Sequence, residues 1–262
     1  MKKDIDNNFI RFGSTTLSDF NVIDVIGDDG KVNEFLQGQL TSDINSLNEK
    51  ESQLSSICDH KGYVVADFIV SKLNNQIKII INKDLSEIFI KDLEPFAKFF
   101  DVRFKDTSDV VVGNLIKKND NNSLCSFEQI DIGINIENKD FFKADEITQL
   151  EWNAANKLAG NLFLKPDEVK KYRPIEINYD NLRVSFEKGC YRGQEIVARM
   201  HYLGLTRRKF CTFITNIEFK EIQEIKIVGE IIVIDSKKIF NGIIKKDSEQ
   251  DVANNSQVIK IL

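Results

Sequence analysis

Histidine is nearly absent from this chain, with two copies, His60 and His201, in 262 residues. A zinc centre needs about four ligands, usually in close-spaced pairs. The four cysteines, Cys58, Cys125, Cys190 and Cys211, are scattered and form no C-x-x-C pair. No metal site is expected from these ligands, and reduced, mostly structural thiols are the expectation. Long hydrophobic runs are missing too: no apolar stretch approaches the ~20 residues needed to cross a bilayer. The opening "MKKDIDNNFIRF" has acidic residues and no apolar core. Neither a secretory signal nor a transit peptide is expected, and the cytoplasm is the expected compartment. An excess of positive charge is also lacking. The formal charge of −5 argues against direct binding of duplex nucleic acid, which leaves a basic footprint.

What is present is enough apolar residue, 42 %, to build a core rather than a disordered chain. The segment "FNVIDVIG" (20–27) reads as a strand closing on a glycine, and "DDGKVNEFLQGQLTSDI" reads as a turn and a helix. "SQLSSICDHKGYVVADFIVSKLNNQIKIII" alternates apolar and polar residues around two turn signals, an antiparallel meander. "KDLSEIFIKDLEPFAKFF" has the spacing of a helix packed on that sheet, with Pro95 as a candidate kink. "DVVVGNLI" and "IDIGINI" read as strands. "DEITQLEWNAANKLAG" reads as a helix from about Asp145 to Gly160. Residues 161–184 read as an ordered crossing segment. After Gly204 the chain becomes a run of short strands, a small all-β module. Strands followed by a helix across the layer give an α+β class.

One stretch asks for chemistry: "SFEKGCYRGQEIVARMHYLG" (185–204). "LRVSF" before it has strand character, and a helix is expected from about Cys190 or Tyr191. Glu195 and Arg199 then lie four apart on one face, the favoured order for an ion pair. Gly189 and Gly193 permit angles or close approaches that a Cβ forbids. Cys190 is placed at a turn near a helix N-terminus, beside Lys188 and Arg192, and each feature favours thiolate. The alternative is a tight turn around a small buried cysteine. The basic residues between 188 and 209 are either a solvated face or an attraction for an anion or RNA.

"KGCYRGQEIVAR" resembles the K-G-C-(F/Y)-x-G-Q-E signature of the YgfZ-type folate-binding proteins. These are relatives of the glycine-cleavage T-protein, an aminomethyltransferase, and of a mitochondrial iron–sulfur assembly factor. "FLQGQLTSDI" (35–44) resembles the family's Q-G-Q-x-T-x-D-(I/V) element. "CDHKGYVVADF" (58–68) resembles its D-x-K-G turn, and "GLTRRKF" the G-x-x-x-R start of its C-terminal barrel. The resemblance implies two α+β subdomains around a central hole, 1–105 and 106–203, and a small β-barrel over 204–262. It implies tetrahydrofolate, or a one-carbon derivative, as the ligand. Its implied role is assembly or repair of iron–sulfur clusters in client enzymes, including a radical enzyme that methylthiolates tRNA.

In that reading Cys190 is the working residue, a thiolate at the mouth of the pterin cavity. Lys188, Gly189, Tyr191, Gly193, Gln194, Glu195 and Arg199 support it. A pterin with an anionic tail wants aromatic walls, a polar group for the ring edge and cations for the tail. The family's walls fall on Phe20 and Trp152. Tryptophan is common at the first position, so Phe20 keeps the π-face and loses an N–H donor. Large aromatics at helical spacing are also ordinary core residues. Asp59 and Lys61 are candidate folate contacts in a turn where Asp ordinarily caps backbone. A monomer is expected. The competing function is a folate-dependent aminomethyltransferase of T-protein type, but "LEWNAANKLAGN" stands where that family carries L-R-x-E-x-G.

Overall fold

The computed structural model describes residues 10–118, 123–140, 145–204, 207–220, 222–255 and 258–262. Its elements begin with β1 (Gly13–Thr16), β2 (Phe20–Ile26) and α1 (Asp29–Gln39). Asp28 starts α1 by accepting from the N–H groups of Gly30 and Lys31, and Val32, Phe35 and Leu36 form its buried stripe. The expected meander follows as β3 (Ser52–Cys58), β4 (Val64–Leu73) and β5 (Gln76–Asn82). Next is α2 (Lys83–Ala97), capped by Asn82, with Leu85, Phe89 and Leu93 buried at a spacing of four. Pro95 falls in its last turn. Then come β6 (Arg103–Asp106), β7 (Val110–Lys117), β8 (Cys125–Phe127), β9 (Ile130–Glu137) and α3 (Gln149–Leu158). After a crossing segment lie the short α4 (Tyr179–Leu182) and α5 (Gln194–Leu203). The chain closes with β10 (Arg208–Asn216), β11 (Lys226–Ile234), β12 (Lys237–Lys245), α6 (Glu249–Ala253) and β13 (Val258–Ile261).

These strands make three antiparallel sheets, ordered β3-β4-β5-β2-β6, β1-β7-β9-β8 and β11-β12-β10-β13. The first sheet is covered on both faces. Ile23, Val25, Phe68, Val70, Ile79 and Ile81 face a core shared with α1 and α2. Val22, Leu54, Ile69 and Ile80 face a second core with Trp152 and the strands of the second sheet. Double burial explains why "FIV" and "III" run apolar instead of alternating. The C-terminal module is an open four-stranded sheet among the described residues, where a barrel was expected. β11 and β13 are its two edges and do not pair with each other. Helix α3 starts at Gln149, later than Asp145, because Thr148 closes a capping box with Glu151.

The strand expected over "LRVSF" does not form, and Arg183 is the reason. Its guanidinium is fully buried and needs fixed acceptors. Nη1 donates to Ser55 O and Phe68 O, both at 3.0 Å. Nη2 donates to Asn161 Oδ1 at 2.8 Å and Leu162 O at 3.1 Å. Asp67 Oδ2 lies 3.5 Å from Nη2 with neither side chain exposed. Burial pushes the Asp67 carboxyl up to about 6, against the opposing pull of Arg183. Removing the cation strands that carboxylate and four acceptors. Arg183→Met should therefore lower stability by about 3–5 kcal/mol in urea unfolding. A loss under 1 kcal/mol would show that the network is not structural.

Candidate functional site

The motif loop is bolted to the C-terminal end of α1. Lys188 is buried, and its Nζ donates to the carbonyls of Gln37, Leu40 and Ser42 at 2.8, 2.6 and 2.9 Å. Its ammonium therefore closes the C-terminal end of α1 and is not a cation beside Cys190. Arg192 also differs from expectation: it pairs with Asp92 and lies 5.0 Å from the Phe96 ring centroid. Helix α5 begins at Gln194, so Cys190 stands four residues before its first turn. Both cations and the helix end that were to favour thiolate are thus engaged or displaced. Tyr191 is buried, and burial pushes its hydroxyl up. Glu195 and Arg199 are exposed on α5.

Gly193 is needed where it stands. It has φ +84, and a Cβ there would lie 2.3 Å from Asp59 O. Gly189 differs, with nothing within 4 Å of its Cβ position. The D-x-K-G turn packs directly on the motif through that Gly193 approach. Asp59 Oδ1 accepts from the N–H groups of Lys61 and Tyr63, both at 2.9 Å, the backbone-capping arrangement. The Lys61 side chain is exposed, and its carbonyl faces Arg173 Nε at 3.4 Å.

The result is a thiol at the surface. Cys190 is exposed, whereas Cys58, Cys125 and Cys211 are buried. Burial pushes Cys58 and Cys125 up to about 12 and Cys211 up to about 11.

Elsewhere lies a cleft of about 580 Å³ between the first sheet, α3 and β11. That volume is in the range of small-molecule sites. Phe20 and Phe163 line it. Trp152 does not: it is fully buried behind them, 6.0 Å from each ring, stacked on Phe163 and edge-on to Phe20. Its indole N–H donates to Gly133 O at 3.2 Å. Gly113 makes the seat, since a Cβ there would meet the indole at 2.7 Å. Cys190, Asp59 and Lys61 are not among the lining residues, so the thiol does not stand at the mouth of this cleft.

The lining adds three cations, Lys83, Lys157 and Lys165, four carboxylates, Asp19, Asp84, Asp167 and Glu230, and the amide of Asn153. Aromatic walls, a buried ammonium and charges of both signs at the rim suit a flat ring with hydrogen-bonding edges. Sequence reasoning missed Lys157, Phe163 and Glu230. The available signal was Lys157 itself, a charge one residue before Leu158 in a helix that is buried nearly all round.

Helix α3, which carries Trp152 and Lys157, is held by Arg11. Its Nε and Nη2 donate to the two Glu151 oxygens, each at 2.8 Å. The Arg11 hydrogen bond, ahead of the Thr148 contacts, holds the Glu151 carboxyl down at about 2. A carboxyl depressed on folding contributes stability above its unfolded value, near 4.5, that is lost as pH falls through about 2. Arg11→Gln should flatten this acid limb, read as Tm between pH 2 and 5. An unchanged limb would remove the assignment. Cys190 alone should react with a thiol reagent in the native state, with all four thiols reacting after denaturation. Stoichiometric native labelling of a second cysteine would contradict the burial pattern.

No family model matches the chain. It is 29 % identical over 219 residues to the tRNA-modifying protein YgfZ of Vibrio atlanticus, covering 74 % of this chain and 67 % of that one. It is 30 % identical over 224 residues to the protein of the same name from Buchnera aphidicola, covering 73 % and 70 %. An uncharacterized protein of Haemophilus influenzae is 32 % identical over 224 residues, covering 82 % and 77 %. The fold is similar to aminomethyltransferase T of the glycine cleavage system from Bartonella henselae. The TM-score is 0.63 at 14 % identity, over 91 % of this chain and 80 % of that one.

Proposed function

The chain belongs to the YgfZ family, and on that premise we propose that it is a tetrahydrofolate-binding accessory protein for iron–sulfur enzymes. Its clients include a radical enzyme that methylthiolates tRNA. In this reading it works as a cytoplasmic monomer, and Cys190 meets the client during assembly or repair of the cluster. The observation that carries it is the exposure of that one cysteine while the other three are buried. Lys188 and Gly193 hold its loop in a fixed place. A thiol that must meet a partner protein needs both reach and position.

The cleft supports the folate half. Phe20 and Phe163 line it, Lys157 of α3 lies buried beside Gly229 of β11, and Lys83 and Lys165 stand exposed for a carboxylate tail. Reduced folate supplies a carrier of one-carbon units when bound. The likeness to an aminomethyltransferase, at 14 % identity, carries the fold alone. Aminomethyl transfer is therefore not adopted.

Two measurements test the reading. 5-Formyltetrahydrofolate should change the emission of Trp152, the single tryptophan, saturably at micromolar ligand, through its contact with Phe20 and Phe163. Cys190→Ala should keep that affinity yet fail to restore iron–sulfur enzyme activity in a deletion strain. Full rescue by the alanine protein would sink the role of the thiol, and absence of saturable binding would sink the ligand.

A further inference from the structure

The cleft holds a lysine that its surroundings leave short of partners. Lys157 lies in the last turn of α3, 5 % exposed, and an ammonium has three protons to donate. Among the described residues the acceptor within reach is Asn241 Oδ1 at 3.5 Å, the outer limit of a hydrogen bond. Asn241 is not free to turn closer. Its amide nitrogen donates to Lys157 O at 3.2 Å and to Thr212 Oγ1 at 2.9 Å. Gly229 of β11 lies beside it: a Cβ there would stand 2.6 Å from Leu162 Cδ1 and 3.4 Å from Nζ.

Two carboxylates act on this ammonium, Glu230 and Glu168, with Lys165 opposing them. Glu168 is already committed, its Oε1 accepting from Gly229 N at 2.7 Å and its Oε2 from Lys165 N at 3.0 Å. Glu230 is exposed and takes a 3.5 Å contact from Asn153 Nδ2. Of the four carboxylates that line the cleft, Glu230 is thus the one that acts on the buried ammonium and has a single long contact of its own. A carboxylate accepts two parallel N–H groups, and an ammonium beside it donates to a carbonyl. The ligand edge that matches has two adjacent N–H donors followed by a carbonyl, which is the 2-amino-4-oxo edge of a pterin.

We propose that Glu230 and Lys157 read the pyrimidinone edge of the bound pterin. Glu230 accepts from the exocyclic amine and the ring N–H, and Lys157 donates to the ring carbonyl. The inference rests on the folate reading above and adds an orientation: the glutamate tail points to the rim, towards Lys83 and Lys165. It also makes Glu230, on the C-terminal sheet, a specificity residue of a site otherwise formed by the preceding segments.

Calorimetric titration of the full chain tests it with two probes, 5-formyltetrahydrofolate and its 2-desamino-2-methyl analogue. The wild-type chain should prefer the 2-amino probe by tenfold or more, and Glu230→Gln should erase that preference. Lys157→Met should weaken both probes tenfold or more. Survival of the preference in Glu230→Gln, or wild-type affinity in Lys157→Met, overturns the assignment while leaving folate binding intact. A wild-type chain that binds neither probe overturns the proposed ligand, and this assignment with it. Circular dichroism checks the fold of each variant. Should Lys157→Met not fold, the exposed Glu230→Gln decides alone.

Discussion

A buried guanidinium must be solvated by groups the chain itself holds still, and Arg183 sets that demand for the whole molecule. Its partners come from β3, β4 and the crossing segment at Asn161 and Leu162. Its own carbonyl accepts from Thr41 Oγ1 at 2.7 Å, which ties in the end of α1. The rings of Phe163 and Tyr179 lie 5.0 and 4.6 Å from it. None of these segments moves without breaking a charged contact in a region of low dielectric. Phe163 is also a wall of the cleft, and the motif loop starts two residues after Arg183. One side chain therefore sets the positions of both halves of the proposed site.

Two buried lysines show that coordination, rather than burial, separates a strut from a binding group. Lys188 has three carbonyls within 2.9 Å, a closed shell that leaves no donor for a ligand. Lys157 has one long contact and an open side facing a cleft. The cysteines divide in the same way. Three are packed as small apolar residues, and the fourth stands at the surface on a loop that Lys188 and Gly193 keep fixed.

The strands and main helices were legible because alternation and helical spacing report burial directly. β3 to β5, α1 and α2 fall where the pattern puts them. "LRVSF" failed because its alternation mimics a strand, while the demand that Arg183 makes on distant carbonyls is invisible locally. Lys188 and Arg192 misled for a related reason: nearness in sequence to Cys190 says nothing about where a long side chain turns. Trp152, expected as a wall of the site, lies one layer behind the surface. Lys157, Phe163 and Glu230 escaped because their meeting is a product of tertiary packing between α3, the crossing segment and β11.

Strand β1 has a consequence for how the chain reaches this state. It belongs to the second sheet, pairing residue 13 with Leu115 and residue 16 with Val112, although it precedes every strand of the first. About a hundred residues emerge from the ribosome before its partner exists, so the segment waits unpaired during synthesis. β1 also covers one margin of β7. A chain nicked before Phe20 would leave that margin bare, a template on which a second molecule could donate its own leading strand.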